Sequence, residues 1–451
     1  MRSIAIIGGG LSGTLVAMNL LEASTDQSIS IKLLDSRDEN DLGPAYSADE
    51  GYLLNVRAGL MGAVSNEPEH FWNWLQNKNI NADKIDFVPR KLYREYVQEL
   101  FRNALKNKRE NISFERIHDR AFDIKSINDR TQIILAGGKS FKADKIVLAL
   151  GNFTPRNPEL KNNDFTASPF YVQNPWNSAF LNLIPENASV LFIGTGQTMV
   201  DLACALHRQG HKGRIVAISK HGFLPLTHKI VEPHPPFYDK LRNVKSAVGL
   251  FRIIRKEIQS AERSGSDRRA VIDSLRPYTQ QIWMSLENEE KRRFLRHLFR
   301  YWEINRSRIP PQSSDVINLM QSIGQLSITA GKIISMVLKD KGIEISYTVK
   351  NSEVPVIQFA EFVVNCIGPE LDYNRIQDPL VKNLLKSGLI QPDPLNQGIN
   401  ALANGRIIHK NGSVSNTFFT IGLPLKGILW ECLAAPEIRE QAKNLSVFLL
   451  N

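Results

Sequence analysis

The sequence has little cysteine and lacks long hydrophobic runs. Its three cysteines, Cys204, Cys366 and Cys432, lie far apart in a chain of 451 residues. This spacing excludes a C-x-x-C redox motif and argues against a disulfide framework. No His, Cys and acidic residues recur with zinc-ligand spacing, and no apolar run reaches the roughly 18 residues of a membrane span. We therefore expect a cytoplasmic protein with no metal site and no membrane span.

The charge balance is basic but is not concentrated in one segment. Lysine and arginine number 56 against 46 acidic residues, which gives a formal net charge of +10. Such a surplus attracts nucleic acid, anionic lipid or anionic small molecules. Because the basic residues are spread along the chain without a dense tail, we expect no nucleic-acid partner. Length and the 42% of hydrophobic residues predict a globular enzyme of two or three domains. The sequence carries no signal for an oligomeric state.

A glycine-rich turn near the N-terminus is the most specific feature that is present. Residues 4–7 predict a strand, the following glycines fit G-x-G-x-x-G, and a helical apolar pattern comes next. A second predicted strand ends at Asp35, where the motif places an acid that holds a ribose hydroxyl. The glycines let the backbone approach a pyrophosphate, and the helix N-terminus supplies N–H donors. The predicted dinucleotide contacts are Gly8, Gly10, Leu11, Ser12, Gly13, Asp35 and Ser36.

A second, less regular turn follows the predicted strand at residues 190–193. Met199 replaces the third glycine of the motif, whose role is close packing of the helix against the strand. The next predicted strand ends at Ser219 and Lys220 in place of an acid, and a hydroxyl with a cation suits the 2′-phosphate of NADPH. The alternative is a surface lysine beside a degenerate nucleotide fold. The predicted NADPH contacts are Gly194, Gly196, Gln197, Thr198, Ser219 and Lys220.

The two turns begin units that end in the same way. Alternating segments at 122–135 and 332–348 predict a β-meander after each turn. A strand ending in glycine follows each meander, Ala149-Leu150-Gly151 and Cys366-Ile367-Gly368. This repeat resembles the architecture of flavoproteins with two dinucleotide-binding domains, in which such a strand returns the chain to the FAD domain. The resemblance implies cofactor contacts at Gly151 and Gly368.

Short motifs along almost the whole chain narrow this resemblance. They are Gly43-Pro44-Ala45-Tyr46-Ser47, Leu53-Leu54-Asn55-Val56, His70-Phe71-Trp72-Asn73-Trp74-Leu75, Pro89-Arg90-Lys91-Leu92-Tyr93, Asn174-Pro175-Trp176, residues 194–201, residues 427–431 and residues 436–442. Together they resemble a family of bacterial NAD(P)/FAD-binding proteins. That family is distantly similar to class B flavin monooxygenases of the N-hydroxylating and Baeyer–Villiger types.

The resemblance implies an α/β fold with two Rossmann-like dinucleotide-binding domains, β-meanders and a helical insertion. We expect a discontinuous FAD-binding domain at 1–165 and 355–451. The NAD(P)-binding domain is expected at 185–235 and 323–354. The segment at 236–322 is too long for a plain nucleotide-binding domain, and its apolar residues recur at helical spacing. We therefore interpret it as a helical insertion that serves as a substrate lid.

The later part of the insertion is rich in arginine and departs from the family pattern. The family has a Tyr-Trp, a His and an Arg-His-Arg, whereas this chain reads Tyr301-Trp302-Glu303-Ile304-Asn305-Arg306-Ser307-Arg308 without either histidine. We expect Arg306 and Arg308 to bind an anionic substrate or the phosphates of NADP. The alternative is a solvated basic face, which would also contain Arg292, Arg293, Arg296 and Arg300.

The C-terminal segment completes the expected FAD site. A predicted strand ends at Gly422, and Gly427 precedes a helical pattern. In flavoproteins of this type that helix points its N-terminus at the flavin ring or the pyrophosphate, where its positive end stabilises reduced flavin. Lys426 would add to this effect. The implied contacts are Gly422, Gly427 and Ile428, whereas Trp430 and Glu431 either contact flavin or serve in packing and capping.

The segment at 53–65 is expected to cross near the flavin ring. Asn55, with Val56 beside it, would hydrogen-bond flavin or nicotinamide, although the alternative is that Asn55 caps the following turn. In an enzyme with both cofactors, NADPH delivers hydride to FAD, and the flavin carries the chemistry. The lack of a cysteine pair removes the disulfide route.

We therefore favour an FAD-dependent, NADPH-using monooxygenase that acts on a small molecule through a peroxyflavin. One alternative is an NAD(P)H:acceptor reductase with a quinone or protein acceptor. Another is a flavin-binding partner protein with little turnover. The sequence does not specify the substrate.

Overall fold

The computed structural model of the chain describes residues 1–38, 41–46, 51–127 and 130–451. Ser47, which belongs to one of the motifs above, lies outside the described residues. The strands are β1 (Arg2–Ile7), β2 (Ile29–Leu34), β3 (Ile112–Ile117), β4 (Ala121–Ile127), β5 (Arg130–Leu135), β6 (Ser140–Ala143), β7 (Lys145–Leu148), β8 (Tyr171–Val172), β9 (Val190–Ile193), β10 (Ile215–Ser219), β11 (Leu326–Lys339), β12 (Gly342–Val349), β13 (Pro355–Ala360), β14 (Phe362–Asn365), β15 (Arg406–Ile408) and β16 (Val414–Thr420).

Helices connect most of these strands. They are α1 (Leu11–Leu21), α2 (His70–Asn77), α3 (Arg90–Asn107), α4 (Gln197–Arg208), α5 (Ala247–Arg263), α6 (Arg268–Ser274), α7 (Thr279–Ser285), α8 (Asn288–His297), α9 (Phe299–Arg306), α10 (Pro311–Ser322), α11 (Pro379–Lys386), α12 (Lys426–Leu429) and α13 (Ala435–Leu450). Among the described residues, no helix combines the length and the apolar character needed to cross a bilayer.

The first sheet contains the N-terminal glycine turn at its centre. Its strand order is β15-β16-β7-β1-β2-β3, and all pairs are parallel except β15 with β16. The last four residues of β1 are all buried, as expected for a strand covered by helices on both faces. Helices α1 and α13 share one buried cluster, and α11 packs with the separate β4-β5-β6 sheet on the other side. The first predicted β-meander is therefore confirmed as a three-stranded sheet of its own.

The second sheet contains the second glycine turn. Its order is β13-β12-β11-β10-β9-β14-β8. Strand β11 is long enough to pair in parallel with β10 up to Ala330 and in antiparallel with β12 from Gly331, so the second meander extends the sheet. Strands β13 and β14 also belong to this sheet, although we expected residues from 355 onward in the FAD-binding domain. The reason is that β14 pairs in parallel with β9, as β7 pairs with β1.

The insertion consists of helices, but its limits differ from the predicted 236–322. Thr227 and Ile309 form a β-bridge that closes its neck, and helices α5 to α9 lie between them. These helices have a core of their own that includes Leu250 and Val271. Helix α10 instead buries Ile317 and Met320 with α4 and β9. It is the crossover helix between the parallel strands β10 and β11, and such a connection needs a helix on the face of the sheet.

The C-terminal helix is broken, although the apolar pattern after Gly427 predicted one helix. Helix α12 ends at Leu429, and Trp430 has a left-handed φ of 65°. Pro436 then stands in the first turn of α13. An α-helix cannot continue through a residue in the left-handed region, so the chain turns between α12 and α13. This turn places residues 430–434 at the edge of the pocket described below.

Candidate active site

The two glycine turns are crowded by the chain in the same way. Gly8 and Gly194 have φ values of +107° and +113°, which disfavour a side chain. A Cβ on Gly8 would lie 2.2 Å from the Ala149 carbonyl oxygen, and one on Gly194 would lie 2.7 Å from that of Cys366. These carbonyls follow β7 and β14, the returning strands of the two units. The glycines after those strands, Gly151 and Gly368, also have positive φ values, of +64° and +95°.

The first turn leaves no space for side chains where a pyrophosphate would approach. A Cβ on Gly13 would lie 1.9 Å from the Gly8 carbonyl oxygen, so α1 packs directly against the turn. Gly10 is the N-cap of α1 and carries no capping side chain. A Cβ on Gly422 would lie 2.7 Å from the Ser12 hydroxyl oxygen, so the end of β16 adjoins the same turn. Glycine turn, helix start and C-terminal strand end are brought together as predicted.

Asp35 is held by partners within the chain. Its carboxylate accepts from the Gly9 N–H at 2.6 Å and pairs with Arg37 at 2.5 Å, and the residue is 8% exposed. Burial alone would raise its pKa, but the hydrogen bond and charge of Arg37 outweigh burial and lower it. Asp35 thus fixes the glycine turn, and its predicted contact to a ribose stays a prediction. Ser36 is exposed beside it. The sequence analysis did not predict a role for Arg37. Its position two residues after Asp35 could have indicated that the two side chains pair.

The second turn is more open. Gly196 is the N-cap of α4, and nothing lies within 4 Å of a Cβ placed on it. Met199, at the position of the third glycine, is fully buried. The Ser219 hydroxyl bonds that of Thr195 at 2.8 Å and accepts from the Gly222 N–H at 3.0 Å. Ser219 therefore has a structural role already, and the exposed Lys220 is the residue left to contact a 2′-phosphate.

A pocket of about 390 Å³ lies where the two sheets and the insertion meet. The motifs that carried the family resemblance converge on it, since Tyr46, Asn55, Arg90, Trp176 and Thr198 all line it. Val56 and Gln197 line it as well. The motif at residues 70–75 is different, because Phe71 and Leu75 are fully buried in the core of the first unit. The sequence thus named most of the segments that form this pocket without showing that they meet.

One ion pair joins the two nucleotide-binding units at the pocket. Arg90 begins α3 of the first unit and donates to Asp201 of α4 at 2.7 Å. Its Nε also donates to the Leu53 carbonyl at 2.9 Å, and both charged side chains are less than one fifth exposed. The pair was not predicted, although both residues lie in motifs quoted above. It fixes the entry of segment 53–65 relative to the second unit.

Arg306 lies at the pocket within a buried charge cluster. It pairs with Glu431, and with Glu437 at 3.6 Å. Trp302 Nε1 also donates to Glu431 at 3.3 Å. Burial raises the pKa of Glu437, an effect that the charge of Arg306 opposes. Arg306 therefore lines the pocket, and its charge is shared with two carboxylates of the chain. Its binding of an anionic substrate or NADP phosphate stays a prediction.

Arg308 was predicted to bind an anion, but its side chain is buried and bonded to groups of the chain itself. It is 4% exposed and donates to Asp273 at 2.8 Å, to the Asn305 carbonyl at 2.8 Å and to the Arg269 carbonyl at 3.2 Å. These partners satisfy its guanidinium and fix the insertion against its neck. The solvated-face alternative fits the other arginines of the group, because Arg292, Arg293, Arg296 and Arg300 are exposed.

The segment around α12 contributes packing and one cation. A Cβ on Gly427 would lie 2.2 Å from Asp393 Oδ1, and the Gly427 carbonyl accepts from Trp283 Nε1 at 2.9 Å. Trp430 stacks on Trp283 with ring centroids 4.6 Å apart, which favours packing as its role. Lys426 lies 5.6 Å from the Trp430 ring centroid, and burial lowers its pKa. Ile428 packs beside the small cluster around Leu425, so its flavin contact stays a prediction.

The cysteines and acidic groups give no sign of dithiol or metal chemistry. Burial raises the pKa of Cys366 and Cys432, and it raises the pKa of Cys204 to about 12. All three thiols are free and stay protonated near neutral pH. Within residues 1–38, 41–46, 51–127 and 130–451, no group of three or more His, Cys, Asp or Glu side chains is arranged to hold a metal ion.

The first third of the chain matches a known family. Residues 5–153 match the family model described as FAD-NAD(P)-binding, which confirms the predicted resemblance there and makes this stretch an FAD/NAD(P)-binding domain. The uncharacterized protein YdhS of Escherichia coli (strain K12) is 24% identical over 318 residues. The match covers 60% of this chain and 57% of that protein, so it spans little more than half of the relative.

Solved structures of ornithine hydroxylases resemble the whole chain. The reduced form of the ornithine hydroxylase PvdA from Pseudomonas aeruginosa has a TM-score of 0.69 at 15% identity and covers 100% of this chain and 98% of its own. The ornithine N-hydroxylase KtzI of Kutzneria sp. 744 has a TM-score of 0.66 at 13% identity and covers 100% and 99%. At such identities the likeness shows a shared fold. The predicted two-dinucleotide flavoprotein fold is therefore confirmed.

Proposed function

We propose that this chain is an FAD- and NADPH-dependent monooxygenase that acts on a small molecule. The observation that carries the proposal is one pocket on which both glycine-turn units and the insertion converge. The fold it shares with ornithine hydroxylases supports the same reaction class, and the KtzI structure is named with reduced FAD, NADP⁺ and L-ornithine. We assign FAD to the first sheet and NADPH to the second. The cytoplasmic location stays a prediction.

The residues present fit FAD at the first turn. Gly8 and Gly13 admit no Cβ, and the N-terminus of α1 adjoins the same turn, an arrangement that suits a pyrophosphate. The Leu11 N–H already donates to the Leu42 carbonyl at 3.0 Å, so other N–H groups of the turn would serve the pyrophosphate. Arg37 adds a cation there, since its Nη2 lies 3.5 Å from the place of a Cβ on Gly10. Bound there, FAD would supply the redox chemistry, taking hydride from NADPH and reducing oxygen.

The chain's own residues orient the reactants. Asn55 lies in the wall of the pocket, where its amide can hydrogen-bond a flavin or nicotinamide edge. Lys426 lies beside the aromatic rings of Phe299 and Trp430 and, when protonated against the effect of burial, would add a positive charge there. The position of Lys426 at the start of α12 suits the stabilisation of negative charge in the pocket. Gly196 leaves the second turn open for a cofactor that must enter and leave.

The test is to purify the full chain, measure its FAD content, and follow NADPH oxidation with and without oxygen. A panel of amines, thiols and ketones would then be scored for stimulated NADPH oxidation and for an oxygenated product. We expect bound FAD, reduction by NADPH, and a product with one compound class. Absence of FAD would overturn the proposal. Fast anaerobic transfer to a quinone without product would favour the acceptor reductase, and bound FAD that NADPH does not reduce would favour the partner protein.

A further inference from the structure

A second pocket adjoins the proposed reaction pocket. Its volume is about 270 Å³, and Asn55, Val56, Arg276 and Arg308 line both pockets. The wall between them is therefore made of shared side chains. A molecule that occupied both pockets would contact these shared residues. The second pocket, which we call the basic pocket, is formed by segment 55–60, by the chain after Thr227, and by α6 with the turn that follows it.

The lining of the basic pocket is strongly positive. Among the residues that the structure describes, the lining includes Arg57, Lys229, Arg276 and Arg308 but a single acid, Asp273. Four positive charges and one negative charge give +3 with the histidines neutral. Asp273 is already bound to Arg308 at 2.8 Å. Lys229 has a partner outside the lining, Asp267 at 3.5 Å, but its side chain is 65% exposed. A surplus of this size around a cavity attracts an anion.

Arg276 lies between the two pockets, and the ion pair that balances its positive charge is a long one. Within the described part of the chain, its ion pair is with Asp273 Oδ1 at 3.9 Å, whereas Arg308 makes three hydrogen bonds. Its side chain is 36% exposed and lines both cavities. Burial, followed by repulsion from Arg306, lowers its pKa, whereas the charges of Asp273, Glu431 and Glu437 oppose this shift. An arginine in this position gains most from an added anion, because a guanidinium binds carboxylate or phosphate with two parallel hydrogen bonds.

The pKa of His228 is lowered in part by the same positive charges. Its Nε2 lies 3.0 Å from the Asn55 carbonyl oxygen, and its ring packs on Phe87 at 4.7 Å between centroids. Burial lowers its pKa to about 4; the bond to Asn55 opposes this, whereas Arg308, Arg57 and Arg276 contribute to it. The second histidine of the pocket is His234, and its Nε2 lies 3.3 Å from Glu257 Oε1. Neither histidine supplies a negative partner for Arg276.

We propose that the substrate carries a carboxylate or phosphate group that binds in the basic pocket, between Arg276 and Arg57, while its reacting end lies in the larger pocket. This assignment names the substrate class of the proposed monooxygenase and rests on that function. The same chemistry would accept a phosphate of NADPH. The two possible sources of the anion can be distinguished through Arg276. If the anion belongs to the substrate, Arg276 is needed for anion binding but not for the reduction of FAD by NADPH.

The experiment uses the FAD-loaded full chain and two variants on different elements, Arg276→Gln and Arg57→Gln. Inorganic phosphate and 6-aminohexanoate are the probes, and their binding is measured by calorimetry at constant ionic strength. Hexylamine, which lacks the carboxylate, is compared with 6-aminohexanoate. Arg252→Gln, an exposed arginine of α5 outside both pockets, is the matched control for loss of one positive charge. FAD content and Tm verify that each variant folds, and Arg57→Gln carries the test if Arg276→Gln does not.

We expect both anionic probes to bind the wild-type chain, each pocket variant to weaken them at least tenfold, and Arg252→Gln to change them less than twofold. Hexylamine binding should be unaffected by either pocket variant. Anions that do not bind, or that bind the pocket variants as tightly as the wild type, would overturn the inference. So would an equal loss of NADPH affinity in Arg276→Gln, which would assign the site to the cofactor. NADPH-driven reduction of FAD in the same samples tests the proposed function separately.

Discussion

At the scale of the residue, we predict that Lys220 governs the choice of nicotinamide cofactor. Ser219 is bonded to Thr195 and Gly222, so Lys220 is the predicted contact left for a 2′-phosphate. We expect Lys220→Glu to weaken NADPH binding roughly tenfold or more, because a charge-assisted bond becomes a repulsion, while NADH binding changes little. Stopped-flow reduction of FAD at varied NADPH and NADH gives both affinities. Lys142→Glu, at an exposed site of the β4-β5-β6 sheet, is the control. Equal effects on both nucleotides would contradict the assignment.

His228 makes stability depend on pH. Its pKa is about 4 in the folded chain and about 6.5 in an unfolded one, so between these values the unfolded chain binds the proton and the folded chain does not. Stability is therefore lost as pH falls through this window, by up to about 3 kcal/mol at its lower end. The difference in Tm between pH 7 and pH 4.5 should shrink in His228→Gln. It should persist in His118→Gln, which removes an exposed histidine. A wild-type difference retained by His228→Gln would refute this account.

At the scale of the element, the two turns should respond differently to the same methyl group. In Gly13→Ala the Cβ meets the Gly8 carbonyl at 1.9 Å, and relieving such a clash costs typically about 1–3 kcal/mol. We expect loss of FAD and a lower Tm. In Gly196→Ala the Cβ meets nothing within 4 Å, so Tm and FAD content should be kept. NADPH binding should still fall, because the methyl group occupies the approach of the pyrophosphate. Unchanged NADPH affinity in Gly196→Ala would argue against nucleotide binding at this turn.

Elements with a strong local signal were predicted from sequence. The glycine turns, both meanders and the helical insertion follow from residue type and periodicity, which act over a few neighbours. Three boundaries were not predictable in this way. Strand β14 joins the second sheet because β9 offers it a parallel edge, and α10 leaves the insertion because α4 buries Ile317. The break falls at Trp430, whose ring stacks on Trp283, a residue distant in sequence.

At the scale of the whole molecule, the Arg90–Asp201 pair couples the two units. Both side chains are mostly buried, so removing one partner takes a close ionic contact from a charge that water reaches poorly. A double-mutant cycle with Arg90→Ala and Asp201→Ala should give a coupling of about 1 kcal/mol or more in thermal unfolding. The exposed Lys84–Glu69 pair, nearly half exposed on both sides, should give less than about 1 kcal/mol in the same cycle. A coupling for Arg90 and Asp201 no larger than that of the exposed pair would show that the contact does not join the units.

The candidate site divides in a similar way between sequence and structure. Lys426, Asn55 and Arg306 were placed at the site from the sequence and do lie in its wall. Arg308 was expected to bind an anion, but its partners Asp273 and Arg269 come from α6, more than thirty residues away. Arg276 had no signal in the sequence, because its importance comes from lying between two cavities.

The sequence by itself determined that this chain has two dinucleotide turns and which one is tighter. Those properties are local, since a glycine without a Cβ and a strand that ends in a helix N-terminus act within about a dozen residues. Only the tertiary structure decided which charged side chains are paired within the chain and which line a cavity. A guanidinium is neutralised by whichever carboxylate folding brings near it, and Arg308 and Arg276 share Asp273 unequally. That unequal sharing depends on distances of a few ångströms between separate elements.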